Sequence, residues 1–227
     1  MPVVTRFILQ KLHRRQRLIV LYANANLITV SWHLRKDISQ SPEIIVLNDG
    51  VALDLAAIFK YGTRFPDNLN GTDFTPVFLS NLNVDSRVFL LGGRPGVAEK
   101  AAQALSSFPK AEVCGCLDGY SIWEDEAATI RTINQARPDI LLVALGNPRQ
   151  EEWILRHRQA LAVPLIFGVG ALLDFLSGSV PRAPMLLRRL KLEWAYRLSL
   201  EPRRLVGRYT IGIMRFFWMV LLNRNDT

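Results

Sequence analysis

An α/β fold is predicted: a mainly parallel, Rossmann-like sheet covered by helices on both faces, with a basic helical appendage at its C-terminal end. Three observations predict it. Six short apolar runs end in Gly, Asn or Asp, helix-like segments lie between them, and near Pro181 to Pro184 the alternation gives way to Arg-rich helical sequence. Strands that are apolar on both faces and separated by helices belong to parallel sheets buried on both sides. The 227 residues suffice for one such domain with an appendage, and 49% hydrophobic content provides for a substantial core. We expect an α/β domain over residues 1–181 and the appendage over 182–227.

The expected strands are "RLIVLYAN" (17–24), "EIIVLNDG" (43–50), "RVFLLGG" (87–93), "AEVCGCLDG" (111–119), "DILLVALGN" (139–147) and "PLIFGVG" (164–170). Helical patterns include "GVAEKAAQALSSF" (96–108) and "WEDEAATIRTINQA" (123–136), the second opening on the acidic, capped start Glu124 to Glu126. No internal repeat or low-complexity segment interrupts the series.

The charge is concentrated. Residues 182–227 hold ten Arg and Lys against three acids, which accounts for +7 of the net +8. A tail of this kind suits a polyanion such as a pyrophosphate ligand, an anionic leaflet or a nucleic acid, and a solvated helix face would look similar. Its last apolar run, Ile211 to Leu222, is broken only by Gly212 and Arg215. Twelve residues fall short of the about 20 needed to cross a hydrocarbon core. Two readings remain: the run lies in a membrane interface with Phe216, Phe217 and Trp218 dipping in, or it packs onto the domain.

At the other end, Lys11, Arg14, Arg15 and Arg17 follow a short apolar patch instead of preceding it, so no secretory signal is recognised and a cytoplasmic protein is expected. Cys114 and Cys116, one residue apart in "VCGC", match neither a zinc knuckle nor a redox pair and read as buried thiols in a reducing compartment.

In open parallel sheets, ligands bind beyond the carboxyl ends of the strands, where helix N-termini and backbone N–H groups meet. "NDG" (48–50) places Asp49 at such an end, where a carboxylate can act as general base, although Asn-Asp-Gly also favours plain turns. "LLGGRPG" offers Gly92 and Gly93 to an anionic ligand but matches neither the dinucleotide fingerprint nor the phosphate loop. In "LVALGNPRQEEW", Gly146, Asn147 and Pro148 leave a strand and Arg149, Gln150, Glu151 and Glu152 open a helix. Acids there are ordinary dipole partners, while Gln and Glu could equally bind sugar hydroxyls or a uracil edge. His13, His33 and His157 lack ligand spacing, no Asp-x-Asp pair is present, and no Ser or Cys nucleophile motif occurs.

Together these stretches resemble the WecG/TagA/CpsF glycosyltransferases, family 26. The matching segments are "NDGVALDLAAIFKYG", "NLNGTDF", "RVFLLGGRPGVAEKAA", "PDILLVALGNPRQEEWI", "GVGALLDFLSGSVPRAP" and "LEWAYRLSLEPRRLVGRY", in the family's order over roughly residues 20–210. The resemblance implies an inverting, metal-independent and cofactor-free transfer of a sugar from a UDP-sugar to a polyprenyl-pyrophosphate-linked sugar, on the cytoplasmic face of a bacterial membrane. It implies that Asp49 is the general base. It also implies that Asn24 and the Gly146 to Glu151 corner, with Gln150 foremost, line the donor site, together with Gly92, Gly93, Pro148 and Gly170. Arg197, Arg204 and Arg208 would contact the acceptor pyrophosphate, and the C-terminal helix the membrane; no nucleic acid partner is implied.

The chain departs from the family's usual pattern at Tyr22, at Asp67–Asn68–Leu69 and at Gly207. "FPDNLNGTDF" is most similar to the branch that adds glucose in xanthan-type exopolysaccharide assembly, so glucose is the favoured donor sugar, with N-acetylmannosamine or a uronic acid as alternatives. The competing readings are a catalytically degenerate family member and a basic module that binds membrane or nucleic acid.

Overall fold

The computed structural model describes residues 2–189 and 192–222, apart from the side chains of Pro2, Arg189 and Arg204. In chain order the elements are α1 (Pro2–His13), β1 (Leu18–Ala23), α2 (Ala25–Val30), α3 (Arg35–Gln40), β2 (Ile44–Asn48), α4 (Val51–Tyr61), α5 (Gly71–Ser80), β3 (Ser86–Gly92), α6 (Val97–Leu105), β4 (Ala111–Leu117), α7 (Glu126–Gln135), β5 (Ile140–Ala144), α8 (Arg149–His157), β6 (Leu165–Gly168) and α9 (Leu172–Leu176). The tail adds α10 (Met185–Arg189), α11 (Glu193–Leu200), α12 (Pro202–Gly207), a π-helical turn at Arg208–Gly212 and α13 (Ile213–Leu222). All six expected strands are present.

They form one sheet in the order β2-β1-β6-β5-β3-β4, and every pairing is parallel. The central strands owe their continuous apolar sequence to burial on both faces: each residue of β5 is inaccessible or nearly so. Leu142, Leu90 and Phe167 point to the layer formed by α1, α5, α6 and α9. Leu141, Phe89 and Ile166 point to the opposite layer, where Ile133 of α7 and Trp153 and Ile154 of α8 cover them.

Helix starts follow local chemistry. Asn24, Asn70 and Asp125 each accept a hydrogen bond from a backbone N–H of the first turn of α2, α5 and α7. The acidic stretch at 124–126 is therefore a helix cap, as its spacing predicts. Cys114 and Cys116 are free thiols, partly rather than fully buried on the edge strand β4.

Positions of the crossovers matter most for function. The helix following β3, α6, lies on one face of the sheet and the helix following β5, α8, on the other, and β3 and β5 are neighbours. The strand order therefore reverses between β3 and β5, the kind of position at whose carboxyl end a crevice opens in parallel sheets.

The C-terminal helix is longer than its apolar run. Helical structure continues from Pro202 through the π turn to Leu222, because Leu205 and Val206 extend the apolar sequence backwards. Residues Leu205–Leu222 have a mean hydropathy of 1.4 and are 11% buried, so by length and composition the helix can cross a membrane. The expectation that Phe216 dips into lipid is corrected: Phe216 is 1% exposed and packs between Ala25 of α2 and Leu53 of α4. Trp218, Met214 and Leu222 on the same helix face outward.

Truncation of Phe216 to alanine removes a fully buried aromatic and is expected to cost about 3 kcal/mol. Hydrogen exchange is the check: amides of α13 lose protection while those of β5 and β6 keep theirs.

Candidate active site at the carboxyl ends of the strands

Asp49 sits one residue beyond β2. Its N–H donates to the Ala23 carbonyl at 2.7 Å, which extends the β1–β2 ladder by one step and holds the residue at the sheet edge. Gly50 follows with φ +106°, a conformation that glycine adopts without strain, and α4 starts at once. Asn24 is placed against it: Oδ1 accepts from the Leu27 N–H at 2.9 Å, and Nδ2 points to Asp49 Oδ2 at 3.5 Å. Asn24 was expected among donor-site residues; here its amide links the cap of α2 to the Asp49 carboxylate.

The Asp49 carboxyl is pushed above the usual carboxylate range. Burial is the main cause, opposed by the Asn24 hydrogen bond and the charges of Arg208 and Arg197, and reinforced by Glu193. Glu193 and Arg197 lie on α11 and Arg208 opens the π turn, so the basic tail closes over the end of β2. Arg197 and Arg208, which the resemblance assigns to the acceptor pyrophosphate, act on the Asp49 carboxyl here, while the Arg204 side chain lies outside the described residues.

A second carboxylate anchors that tail. Asn70 caps α5 and donates through Nδ2 to Asp73 Oδ2 at 2.9 Å, and Asp73 Oδ1 accepts from Arg182 at 2.6 Å and lies 3.6 Å from Arg188. Burial would raise the Asp73 carboxyl, but hydrogen bonds from Asn70 and Arg182 and the charges of Arg182 and Arg188 outweigh it and hold it below its ordinary range. Beside this clamp, Phe175 of α9 carries two guanidinium groups, Arg182 and Arg197, each 5.5 Å from its ring centre.

The corner after β5 is built differently. Gly146 turns with φ +74°, the Asn147–Pro148 bond is cis, and α8 begins at Arg149. Gln150 is 2% exposed; its Oε1 accepts from the Gly170 N–H and its Nε2 donates to Glu151 Oε1, both at 2.8 Å. It therefore ties the end of β6 to the start of α8, and its polar atoms are directed inward. Glu151 is fully buried, accepts a further hydrogen bond from Asn147 at 2.9 Å, and leaves Oε2 without a protein partner. Burial pushes its carboxyl up to about 7 against the hydrogen bonds from Asn147 and Gln150.

Across the crevice, Gly92 is required by close approach: a Cβ there would meet the Ala144 carbonyl oxygen at 2.3 Å. Gly93 donates to the same carbonyl at 3.1 Å and accepts from Gly119 at 2.8 Å, so the ends of β3, β4 and β5 are drawn together. The candidate residues form two groups along one rim. Asp49 and Asn24 lie at β2 and β1, and Gly92, Gly93, Gly146, Pro148, Gln150 and Glu151 lie at β3 and β5, with Gly170 of the β6 end between them.

A family model described as the WecG/TagA/CpsF glycosyl transferase family matches residues 1–227. The chain belongs to this family. Among curated relatives, a protein of Bacillus subtilis is 34% identical over 161 residues, which is 70% of this chain and 62% of the relative. One from Staphylococcus aureus is 37% identical over 123 residues, 54% of this chain and 47% of the relative. Both carry the name N-acetylglucosaminyldiphosphoundecaprenol N-acetyl-beta-D-mannosaminyltransferase. The chain thus spans about half to three-fifths of the length of these relatives.

Within this WecG/TagA/CpsF chain, two features escaped sequence reasoning. Asp73 is a first-turn acid, which in isolation looks like a dipole partner; only the arginine excess of residues 182–227 pointed to a need for counter-charges. Phe175 carried no signal, being one apolar residue in an apolar helix. Tyr22, where the family pattern has another residue, is buried: its hydroxyl bonds Thr75 Oγ1 at 2.9 Å and its ring lies over Gly71, where a Cβ would meet it at 2.8 Å.

Glu151 gives a stability test with a definite sign. Its folded carboxyl titrates at about 7 rather than 4.5, so the folded state holds the extra proton between those values. Stability is therefore expected to fall as pH rises through that window, by on the order of 2–3 kcal/mol. Glu151→Gln, which keeps the acceptor oxygen, flattens the dependence in denaturant titrations at pH 5 and pH 8.

Proposed function

We propose that this protein is an inverting glycosyltransferase that moves a hexose from a UDP-sugar to a sugar carried on a polyprenyl diphosphate, in assembly of a bacterial surface polysaccharide. The observation that carries this is the convergence of Asp49, at the end of β2, with Arg197 and Arg208 of the basic tail. A base beside a site for a diphosphate is the arrangement such an acceptor requires.

On this reading Asp49 takes the proton of the acceptor hydroxyl as its oxygen attacks the anomeric carbon, and the bond from that carbon to UDP breaks with inversion. Burial makes the carboxylate more basic, which suits it to receive that proton, and the neighbouring arginines favour its ionised form. The donor occupies the crevice between β3 and β5, where Gly92, Gly93, Gly146 and Pro148 shape the wall and the N-termini of α6 and α8 face the departing diphosphate. Gln150, Glu151 and Gly170 hold that wall to the centre of the sheet. Arg197 and Arg208 take the acceptor diphosphate, where a guanidinium fork binds phosphate oxygens in pairs.

Residues 182–227 act as an appendage to the 1–181 domain that closes the site and presents its outward apolar face, Ile211, Met214, Trp218 and Leu222, to the cytoplasmic side of the membrane. The donor sugar is proposed as glucose, on the similarity of the 65–74 segment to glucosyl-adding members; the curated relatives' names point to N-acetylmannosamine as the alternative.

Purified protein is incubated in EDTA with UDP-glucose, UDP-N-acetylmannosamine or UDP-glucuronate, each with a short-chain polyprenyl-diphosphoryl sugar, and products are read by mass. A hexose-extended lipid from UDP-glucose is expected. Extension only from UDP-N-acetylmannosamine overturns the donor assignment, a requirement for added Mn²⁺ overturns metal independence, and absence of UDP binding overturns the transferase reading. Asp49→Asn is expected to lower turnover by about 10²–10⁴-fold with UDP affinity kept within about twofold; equal loss of both would assign Asp49 to binding.

A further inference from the structure

A short strap crosses the turn that carries Asp49. Leu69 is buried in the core and its N–H donates to the Asn48 carbonyl at 3.0 Å, while Asn48 Nδ2 donates to the Asp67 carbonyl at 2.8 Å. One residue of β2 therefore grips the strap on both sides of Asn68. At its crest, Asn68 Oδ1 accepts from the Gly50 N–H at 3.0 Å.

Two peptide units flank Asp49: the first is pinned twice, through the Asn48 carbonyl and the Asp49 N–H, and the second through the Gly50 N–H. On the N-terminal side the Asp49 N–H is held by Ala23 of β1; on the C-terminal side the Gly50 N–H is held by Asn68. Those two planes set the Asp49 backbone torsions and hence the direction in which its carboxylate leaves the chain. Gly50, at φ +106°, lacks the Cβ that would otherwise restrict the turn, so the bond from Asn68 supplies the restraint. We propose that Asn68 is a positioning residue that aims the Asp49 carboxylate at the acceptor hydroxyl. The proposal rests on the assignment of Asp49 as the base.

Asn68→Ala removes the acceptor of the Gly50 N–H, whereas Asn68→Asp keeps an oxygen there. Groups that act on the Asp49 charge from the surrounding elements are Tyr22 of β1, Glu193 and Arg197 of α11, and Arg208 of the π turn, and all are unchanged in both variants. Steady-state rates are measured from pH 5 to 9 with the UDP-sugar and short-chain polyprenyl-diphosphoryl sugar used above. For Asn68→Ala, kcat on the high-pH plateau is expected to fall about tenfold with acceptor KM within about twofold, as misaimed groups lose rate before affinity. For Asn68→Asp, the plateau is retained and the acid limb moves to higher pH, because a second carboxylate beside Asp49 disfavours its ionisation.

A plateau kcat for Asn68→Ala within twofold of wild type overturns the proposal, as does an Asn68→Asp plateau as low as that of Asn68→Ala. A second measurement needs no turnover: titration of the Asp49 carboxyl carbon by NMR in the full chain. Loosening the turn in Asn68→Ala admits water, and the Asp49 pKa moves down toward the ordinary carboxylate value; an unchanged pKa overturns the assignment. Asp49→Asn in parallel separates the two levels. If that variant turns over normally, the base assignment has failed; if it is dead while Asn68→Ala is unaffected, only the positioning role has failed.

Discussion

The grip of Asp73 on Arg182 and Arg188 decides where the basic tail begins its path across the strand ends. These side chains are partly exposed, so the ion pairs contribute about 1 kcal/mol or less each. Burial of Phe216 between α2 and α4 contributes more, on the order of 2–3 kcal/mol. The two contacts divide the work: the apolar one supplies adhesion, and the charged one supplies register. Between these anchors Arg197 lies over Phe175, and Arg197 and Arg208 come within electrostatic reach of Asp49.

Three carboxylates on this rim illustrate how environment separates chemically similar groups. Asp73 is held low by two arginines and an asparagine and serves as a fixed charge. Glu151, buried beside Asn147 and Gln150, is raised because amides only partly replace the water it has lost. Asp49 is lifted by burial, while Asn24 and the cations of the tail favour its ionised form. A proton acceptor for a sugar hydroxyl needs both influences, since it must ionise and still take up a proton.

The fold was legible because its signals are local and repeated. Continuous apolar runs such as Ile140 to Ala144 can lie only in a strand buried on both faces or in a core helix, and the glycine, asparagine or aspartate closing each run decided in favour of strands. Asp49 and the Gly146 to Glu151 corner were legible as strand ends, although not their partners. Sequence does not reveal that Gln150 spends both ends of its amide internally, that Asn24 turns to Asp49, or that the helix ending at Leu222 begins as far back as Pro202. Each of these depends on which strands become neighbours. The order β2-β1-β6-β5-β3-β4 places Gly170 beside the β5 corner although 20 residues separate it from Gln150.

One measurement bears most directly on the claim that the tail and the strand ends form a single site: the pKa of Asp49, followed by carboxyl-carbon NMR in the wild type, in Arg197→Ala and in Arg208→Ala. Each arginine favours the ionised carboxylate, so removal of either is predicted to raise the Asp49 pKa further, with Arg208 having the larger effect. A pKa unchanged in both variants would show that the tail does not reach Asp49, and would contradict the shared site on which the proposed transfer depends.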